Sequence, residues 1–435
     1  MELYERYKEC GCKVTTDSRA VKGGELFFAL KGENFDGNQY ALKALELGAR
    51  YAVVNADADL PDDARLIRVE DPFTALQQLA IHHRNNVHGE KHLPVIGLTG
   101  TNGKTTTKEL IREVLAKKYK VTATEGNLNN DIGVPLSLLK ITSETEMAVI
   151  EMGANHPDDI AKLVKVSQPD YGLITNVGKA HLLGFGSFSG VKAAKGELYK
   201  YLASKDGSVI FLNADDSDLC DMARPLATHV WQYGIRYQGV EILPVTPDNP
   251  FLSLTVDGRT VRSNLVGAYN ANNILAAISI GEYFGVSRED AIAAIEAYVP
   301  KNNRSMMQKT EKNTLFVDAY NANPSSMAAA LDNFSKVVAD RKVALLGDMR
   351  ELGTDSIREH VSVVRRIEEL EDVEAYLVGE EFDKAASEAR PENIKGIFPT
   401  SEALAAYIRE NPIEGAVVLV KGSRGIQMEK TIPEL

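Results

Sequence analysis

The stretch Gly97-Leu98-Thr99-Gly100-Thr101-Asn102-Gly103-Lys104-Thr105-Thr106 leads an apolar run into closely spaced glycines, a lysine and two threonines. Glycines let backbone N–H groups close around phosphate oxygens, and a helix starting at the lysine turns its positive end to the same point. Gly100, Thr101, Asn102 and Gly103 would form the cradle. Lys104 would reach the terminal phosphates, and Thr105, followed by Thr106, would offer a hydroxyl to magnesium. The usual spacing asks for glycine at 98, where this chain has leucine. The competing reading is a glycine-rich turn that binds no nucleotide.

Further candidates sit where strands or helices should end. Glu151 closes the apolar run "MAVIE" and suits a magnesium ion, which prefers hard oxygen ligands. A solvated strand-end glutamate is the plainer reading. His181 lies in "KAHLLGFGS" after the strand "YGLITNVG", as a metal or substrate ligand or as a structural residue. Lys195, in "VKAAKGELYKYL", reads by spacing as a surface lysine. Asn270 and Asn273 share one face of a helix start, placed for a nucleotide edge or for capping. Arg304 follows Pro300 in a linker and would meet a γ phosphate when domains close, or simply be solvated. Asp318 ends a strand and Tyr320 sits in the polar turn after it, an arrangement for ribose hydroxyls and a base. Lys421, Ser423 and Arg424 follow the apolar strand "AVVLV", where an anionic substrate would dock.

These residues need a frame, and 435 residues suggest about three domains at roughly 150 residues each. A content of 44% apolar and 25% charged residues is ample for folded cores. The net charge of −12 and the lack of a basic patch disfavour nucleic acid. Three cysteines, two of them at Cys10 and Cys12, make no disulfide framework. The amino-terminal stretch has no secretory h-region, and no apolar window is long enough to insert in a membrane, so a cytoplasmic protein is expected. The first segment joins the helix-to-strand run "NQYALKALELGARYAVV" to a polar linker, "HHRNNVHGEKHLP". From Val95 the pattern becomes strand, glycine turn, helix, with buried strands at "MAVIEMG", "YGLITNV" and "SVIFLN". "FLSLTVDGRTVRSNL" predicts a hairpin turning at Asp257-Gly258. A third α/β segment carries strands at "TLFVD", "KVALLGDM", "EAYLVGE" and "AVVLVKGS".

Over essentially the whole chain these pieces resemble the Mur ligase family, the ATP-dependent ligases of peptidoglycan precursors. The family's loop reads TGTNGKTT, which accounts for the shifted glycine. The resemblance continues through "EGNLNNDIGVPLSLL" from Glu125, "EMGANHPDDI" from Glu151, "TNVGKAHLLGFGS" from Thr175, "LNADD" from Leu212, "DAYNANPSSM" from Asp318, "LGDMRELG" from Leu346 and "VKGSRGIQME" from Val420. "TTDSRAVKGGELFFALKGENFDG" is similar to the family's UDP-sugar module, with Ser18 and Arg19 as diphosphate contacts.

The resemblance implies an α/β fold of three domains. These are a small mixed UDP-binding domain over 1–90, a central P-loop ATPase domain with a mostly parallel sheet over 91–303, and a Rossmann-like ligase domain over 304–435. It implies ATP and two magnesium ions as cofactors, with Lys104, Glu151, His181, Lys195 and Arg304 as the catalytic set. Thr105, Glu151, His181 and an N6-carboxylated Lys195 would hold metal. Asn270, Asn273, Arg304, Asp318 and Tyr320 would contact nucleotide, with Tyr269 standing where a histidine is common. Asn129 and Asn130 would lie near the muramyl peptide. The stretches are most similar to the branch that joins D-alanyl-D-alanine to UDP-N-acetylmuramoyl-tripeptide, acting as a monomer. No general base for the incoming amine stands out, with Asp348 and Glu351 as unassigned acids. The branch adding the third amino acid usually carries a histidine-threonine-proline element where this chain has "NANPSSM". A folylpolyglutamate synthetase should lack the UDP module. A nucleotide-binding scaffold without turnover should have lost some of the catalytic set.

Overall fold

A computed structural model describes residues 2–32, 35–245, 250–301, 304–388 and 391–435. Glu33 and Asn34 of the UDP-module stretch, and Asn302 and Asn303 at the expected second domain junction, lie outside the described residues. The chain divides into two compact units. One comprises Met1–Leu98, Tyr119–Gly153 and Asp159–Gly172, and the other Thr99–Lys118, Ala154–Asp158 and Leu173–Leu435. The fold is α/β, with mostly parallel sheets.

In the first unit, the parallel strands Val14–Thr15, Leu26–Phe28, Tyr51–Asn55 and Leu66–Val69 pair in that order. Phe27, Ala52 and Val54 pack against Ala41, Ala44 and Leu45 of the short helix Ala41–Glu46. Phe28 and Val53, pointing the other way, are also buried, as a parallel sheet covered on both faces requires. The helix Pro72–Asn86 opens on an Asp71 cap that accepts from Phe73 N at 3.2 Å and Thr74 N at 2.9 Å, with proline in its first turn.

That helix runs through the first five residues of the expected linker. His82 to Asn86 are helical, and two of them, His83 and Arg84, turn their polarity to buried backbone carbonyls instead of solvent. His83 Nε2 meets Ile141 O at 2.7 Å, while Arg84 donates to Ser167 O at 3.1 Å and Gln168 O at 2.7 Å. The same unit holds the parallel strands Val121–Ala123 and Met147–Glu151, and Val95–Thr99 up to Leu98. Tyr171–Ile174 carries the chain from the first unit into the second.

The second unit begins at the glycine turn. Helix Lys104–Leu115 packs against Ala271–Tyr283, where a Cβ on Gly281 would lie 2.4 Å from Val114 Cγ1, so the close approach requires glycine. The expected hairpin joins Ser253–Val256 to Arg259–Arg262, with Asp257 at φ 47° and Gly258 at φ 75°. A six-stranded sheet follows in the order Met306–Lys309, Thr314–Asp318, Val417–Lys421, Lys342–Gly347, Val373–Val378 and Ile394–Phe398, parallel except at its first strand. Helices Pro324–Ser335, Ser356–Glu368 and Glu380–Glu388 cover one face through Leu331, Val364 and Phe382, and Ser401–Glu410 covers the other through Leu404 and Ile408. Its strand ends carry Asp318, Asp348 and Lys421, the side on which parallel sheets bind ligands.

Candidate active site

The two outer glycines of the turn are demanded by its geometry. Gly100 has φ 148° and a Cβ there would lie 1.9 Å from Thr175 Oγ1, while Gly103 has φ 79° and a Cβ there would lie 2.8 Å from Asn273 Oδ1. The residues between them are fixed by the strand end beside them. Thr101 N donates to Asn176 O and Asn102 N to Asn176 Oδ1, both at 3.0 Å, and Thr175 Oγ1 donates to Asn102 O at 2.6 Å. Lys104 opens the helix with its ammonium over the turn, donating to Gly100 O at 2.8 Å and Thr101 O at 3.1 Å. Thr105 and Thr106 follow in the first helical turn.

Asn270 and Asn273 form a rigid pair: Asn273 Nδ2 donates to Asn270 Oδ1, and Asn270 Nδ2 to Val266 O, both at 2.8 Å. His181 precedes the short helix Leu182–Phe185 with a left-handed φ of 50°, and its Nδ1 bonds the Glu351 carboxylate. Burial pushes the His181 imidazole below its usual range. Glu351 opposes that shift, and Lys104 and Lys195 add to it. Lys195 is 2% exposed, with its Nζ 5.7 Å from the Phe185 ring centre, so the surface reading of this lysine gives way to a buried one.

Residues from the third segment reach the same region. Asn323 caps helix Pro324–Ser335 and its Nδ2 donates to Asn102 Oδ1 at 2.7 Å. Lys179 N donates to Ser325 Oγ at 3.1 Å, and its ammonium pairs with Glu359 at 2.8 Å. Asp318 accepts from the Lys421 ammonium at 2.5 Å; Lys421 is 1% exposed and committed to that carboxylate and to Asn321 O. Arg304 lies over the Tyr320 ring, 3.5 Å from its centre, and Arg424 donates to the Tyr320 hydroxyl at 2.9 Å. Ser423 is buried, accepting from Arg350 N at 2.9 Å and donating to Ala322 O at 3.2 Å. A small cavity lies beside these groups, with Val266, Phe316 and Phe334 as apolar walls and Ser305, Asn333 and Asp318 as polar ones.

In the first unit, Glu151 ends its strand 1% exposed, so a solvated strand end is not what the fold builds. Its Oε1 accepts from Asn129 Nδ2 at 2.8 Å. A Cβ on Gly153 would lie 3.0 Å from Asn129 Oδ1, which explains a glycine there. Asn130 Oδ1 accepts from Gly133 N at 2.8 Å and so serves the start of helix Gly133–Leu138. Ser18 and Arg19 lie in the short helix Ser18–Ala20, with the Arg19 guanidinium held by Asp17 at 2.8 Å.

Among the described residues no three His, Cys, Asp or Glu side chains gather as a metal cage. Magnesium bound with a nucleotide needs no such cage, because phosphates and water fill most of its shell. In the first unit the buried Glu151 carboxylate, and in the second the Thr105 hydroxyl, are each an oxygen group of the kind such an ion takes. An ammonium at Lys195 does not fit, and a carbamate there does. Sequence reasoning missed Asn176, Asn323 and Ser325. The pattern Asn323-Pro324-Ser325-Ser326 was a legible helix cap, and Asn176 had no local signal.

Models of three sequence families match the chain: the Mur ligase family catalytic domain at residues 13–84, the Mur ligase middle domain at 98–281, and the Mur ligase glutamate ligase domain at 303–424. The UDP-N-acetylmuramoyl-tripeptide--D-alanyl-D-alanine ligase of Bacillus subtilis is 33% identical, covering 97% of this chain and 92% of that protein. The Haemophilus influenzae protein of the same name is 35% identical over 97% and 93%. Among solved structures, MurF from Acinetobacter baumannii superposes with a TM-score of 0.84 at 32% identity, covering 97% of this chain and 93% of that one. MurF ligase from Thermotoga maritima, solved in complex with ADP, gives 0.84 at 26% identity, covering 97% and 96%.

Proposed function

The chain belongs to the Mur ligase family, and from that premise we propose that it joins D-alanyl-D-alanine to the terminal carboxylate of UDP-N-acetylmuramoyl-tripeptide, converting ATP to ADP and phosphate in peptidoglycan precursor synthesis. The observation that carries this reading is the glycine turn, built to the family spacing and joined by Asn323 to the third segment, in a chain similar end to end to ligases of that name.

A carboxylate acylates poorly because oxide is a poor leaving group. In the reaction the tripeptide carboxylate attacks the γ phosphorus, the β–γ bridging bond breaks, and an acyl phosphate and ADP result. The free amine of D-alanyl-D-alanine then attacks the acyl carbon, loses its proton, and the tetrahedral intermediate expels phosphate. With Thr101 N and Asn102 N engaged by Asn176, phosphate oxygens are held by the positive amino-terminal end of helix Lys104–Leu115, and Lys104 leaves the turn carbonyls to meet them. Arg304, beside the Tyr320 ring, offsets charge on the transferring phosphoryl group. Asn270, Asn273 and Asp318 orient the nucleoside end beside the pocket of Val266 and Phe316, while Lys421 acts through Asp318. Ser18, Arg19, Asn129 and Asn130 serve the UDP-muramyl peptide, and Arg424 the anionic substrate.

Thr105 and Glu151 would each offer an oxygen to magnesium, and His181 with a carbamylated Lys195 would hold a second ion, which together would supply positive charge to phosphate and carboxylate oxygens. Asp348 is no general base here, since its carboxylate accepts from Glu381 N at 3.1 Å and Phe382 N at 2.9 Å. Work divides over 1–90 for UDP-substrate binding, 91–303 for ATP and 304–435 for closure, in a cytoplasmic monomer. The reading is tested by incubating the protein with UDP-N-acetylmuramoyl-tripeptide, Mg-ATP and D-alanyl-D-alanine and weighing the UDP product. A gain of one D-alanyl-D-alanine unit is expected; turnover solely with the dipeptide precursor and a diamino acid would move the chain one step earlier.

A further inference from the structure

We propose that Glu351 is a positioning residue for His181: its carboxylate takes the Nδ1 side of the imidazole, fixes the ring as the Nδ1–H tautomer and leaves Nε2 as the ligand atom. The inference rests on the reading of His181 as a metal-binding residue.

The contact is built from both sides. Glu351 carries φ 65° and His181 φ 50°, so two residues with a Cβ sit in the left-handed region that glycine favours, facing one another. Backbone strain of that kind persists where the surroundings impose it, and here they do. Glu351 O accepts from Leu183 N at 3.2 Å, beside the side-chain contact to His181. Gly353, at φ 57°, brings its own backbone so close that a Cβ would lie 3.2 Å from Leu183 Cδ1.

The loop that presents Glu351 is itself locked. The Asp348 carboxylate is held by the N–H groups at the start of helix Glu380–Glu388, and a Cβ on Gly379 would lie 2.1 Å from its Oδ2. Met349 N donates to the fully buried His360 Nε2 at 3.0 Å, and Arg350 N to Ser423 Oγ at 2.9 Å. An exposed carboxylate–histidine pair by itself does little. A pair whose acid sits on a pinned, strained loop directs the ring, as the outer partners of metal-binding histidines do. The sequence between Leu346 and Gly353 thereby acquires a task that its acids did not reveal.

The test uses the full chain with 15N-labelled histidine and long-range 1H–15N NMR, His181 being assigned by loss of its signal in H181Q. Mn2+ affinity in the presence of ADP is measured in parallel. In the unaltered chain His181 should be the Nδ1–H tautomer. E351A should release it to the mixture of a free imidazole and weaken Mn2+ binding about tenfold to a hundredfold. E351G should do the same while relieving the left-handed strain, which separates loss of the carboxylate from loss of loop stability. E351Q, whose amide oxygen still accepts from Nδ1–H, should keep the tautomer. An unchanged tautomer in E351A and E351G overturns the proposal, whatever the Mn2+ affinity. If H181Q itself leaves Mn2+ affinity unchanged, the metal reading of His181 fails instead.

Discussion

Gly103→Ala isolates what the phosphate turn requires of its backbone. A Cβ at φ 79° costs roughly 1 kcal/mol for the left-handed conformation alone. The new methyl would also stand 2.8 Å from Asn273 Oδ1 and 3.0 Å from its Nδ2. Asn273 must then move, and its buried bond to Asn270 Oδ1 at 2.8 Å is lost or stretched, for a further cost of about 1–3 kcal/mol. Gly207 is the control: it has φ 73° and no atom within 4 Å of its Cβ position, so Gly207→Ala should carry the conformational cost without the crowding. The difference between the two variants, read by urea unfolding, should therefore be about 1–3 kcal/mol. ADP affinity by calorimetry should fall roughly tenfold or more in Gly103→Ala, since a shifted turn misaims its N–H groups and each 1.4 kcal/mol is a factor of ten. Shrinking the obstacle, in Gly103→Ala with Asn273→Ala, should recover part of the crowding cost as a coupling between neighbours. If Gly103→Ala is no less stable than Gly207→Ala and binds ADP as the unaltered chain does, the close-approach argument for this glycine is wrong.

Asp170→Ala should destabilise the first unit by about 3–5 kcal/mol in equilibrium unfolding, because it leaves the buried Arg84 guanidinium without its counter-charge and Val95 N–H without its acceptor. Asp170→Asn, which keeps the acceptor for Val95 N but not the charge, should cost less than Asp170→Ala while still destabilising, and a negligible loss in Asp170→Asn would refute the charge argument. Burial holds the His83 imidazole below its usual range, so the fold favours the neutral ring. Its contribution to stability is complete above the unfolded pKa of about 6.5 and is lost as pH falls through the folded value. NMR titration of the His83 ring should place its midpoint below about 6.5, and a midpoint at or above that value would contradict the sign. Growth with 13C-bicarbonate should give a carbamate carbonyl signal that Lys195→Arg abolishes together with at least about a hundredfold of the ligase rate, the scale of removing one preorganised electrostatic group. Full activity in Lys195→Arg would exclude a carbamate role.

The strands that the sequence made visible are those buried on both faces. Val95–Thr99, Met147–Glu151 and Val209–Asn213 are continuous apolar runs, and each is completely buried. His229–Tyr233 escaped because it is largely exposed, so neither an apolar run nor a strict alternation marks it. Val121–Ala123 escaped because three half-buried residues carry too short a pattern. The expected linker overlaps the end of helix Pro72–Asn86 because polar residues also serve the interior: His83 and Arg84 meet backbone carbonyls inside the first unit. At the site the glycine turn was legible because its requirement is local: certain backbone conformations admit little else. The burial of Glu151 and Lys195 was not, because which face of an element is covered depends on what packs there. Glu351 and His181 are 170 residues apart, and no window of sequence joins them.

The distribution of those long-range contacts bears on how the enzyme works. Asn323 touches Asn102 within the turn, Ser325 and Glu359 hold Lys179, and Glu351 holds His181, so the third segment fastens on residues immediately around the phosphate site. Gly178 allows the fit, since a Cβ there would lie 2.7 Å from Ser325 Oγ. Each bond is weak on its own: a surface ion pair contributes about 0–1 kcal/mol, and a neutral amide pair about 1 kcal/mol. Together these polar bonds contribute a few kcal/mol to holding the third segment against the phosphate site. Apolar packing accompanies these bonds, since Val266 joins the core cluster of Phe316, Leu331 and Phe334, with Phe251 packed against it.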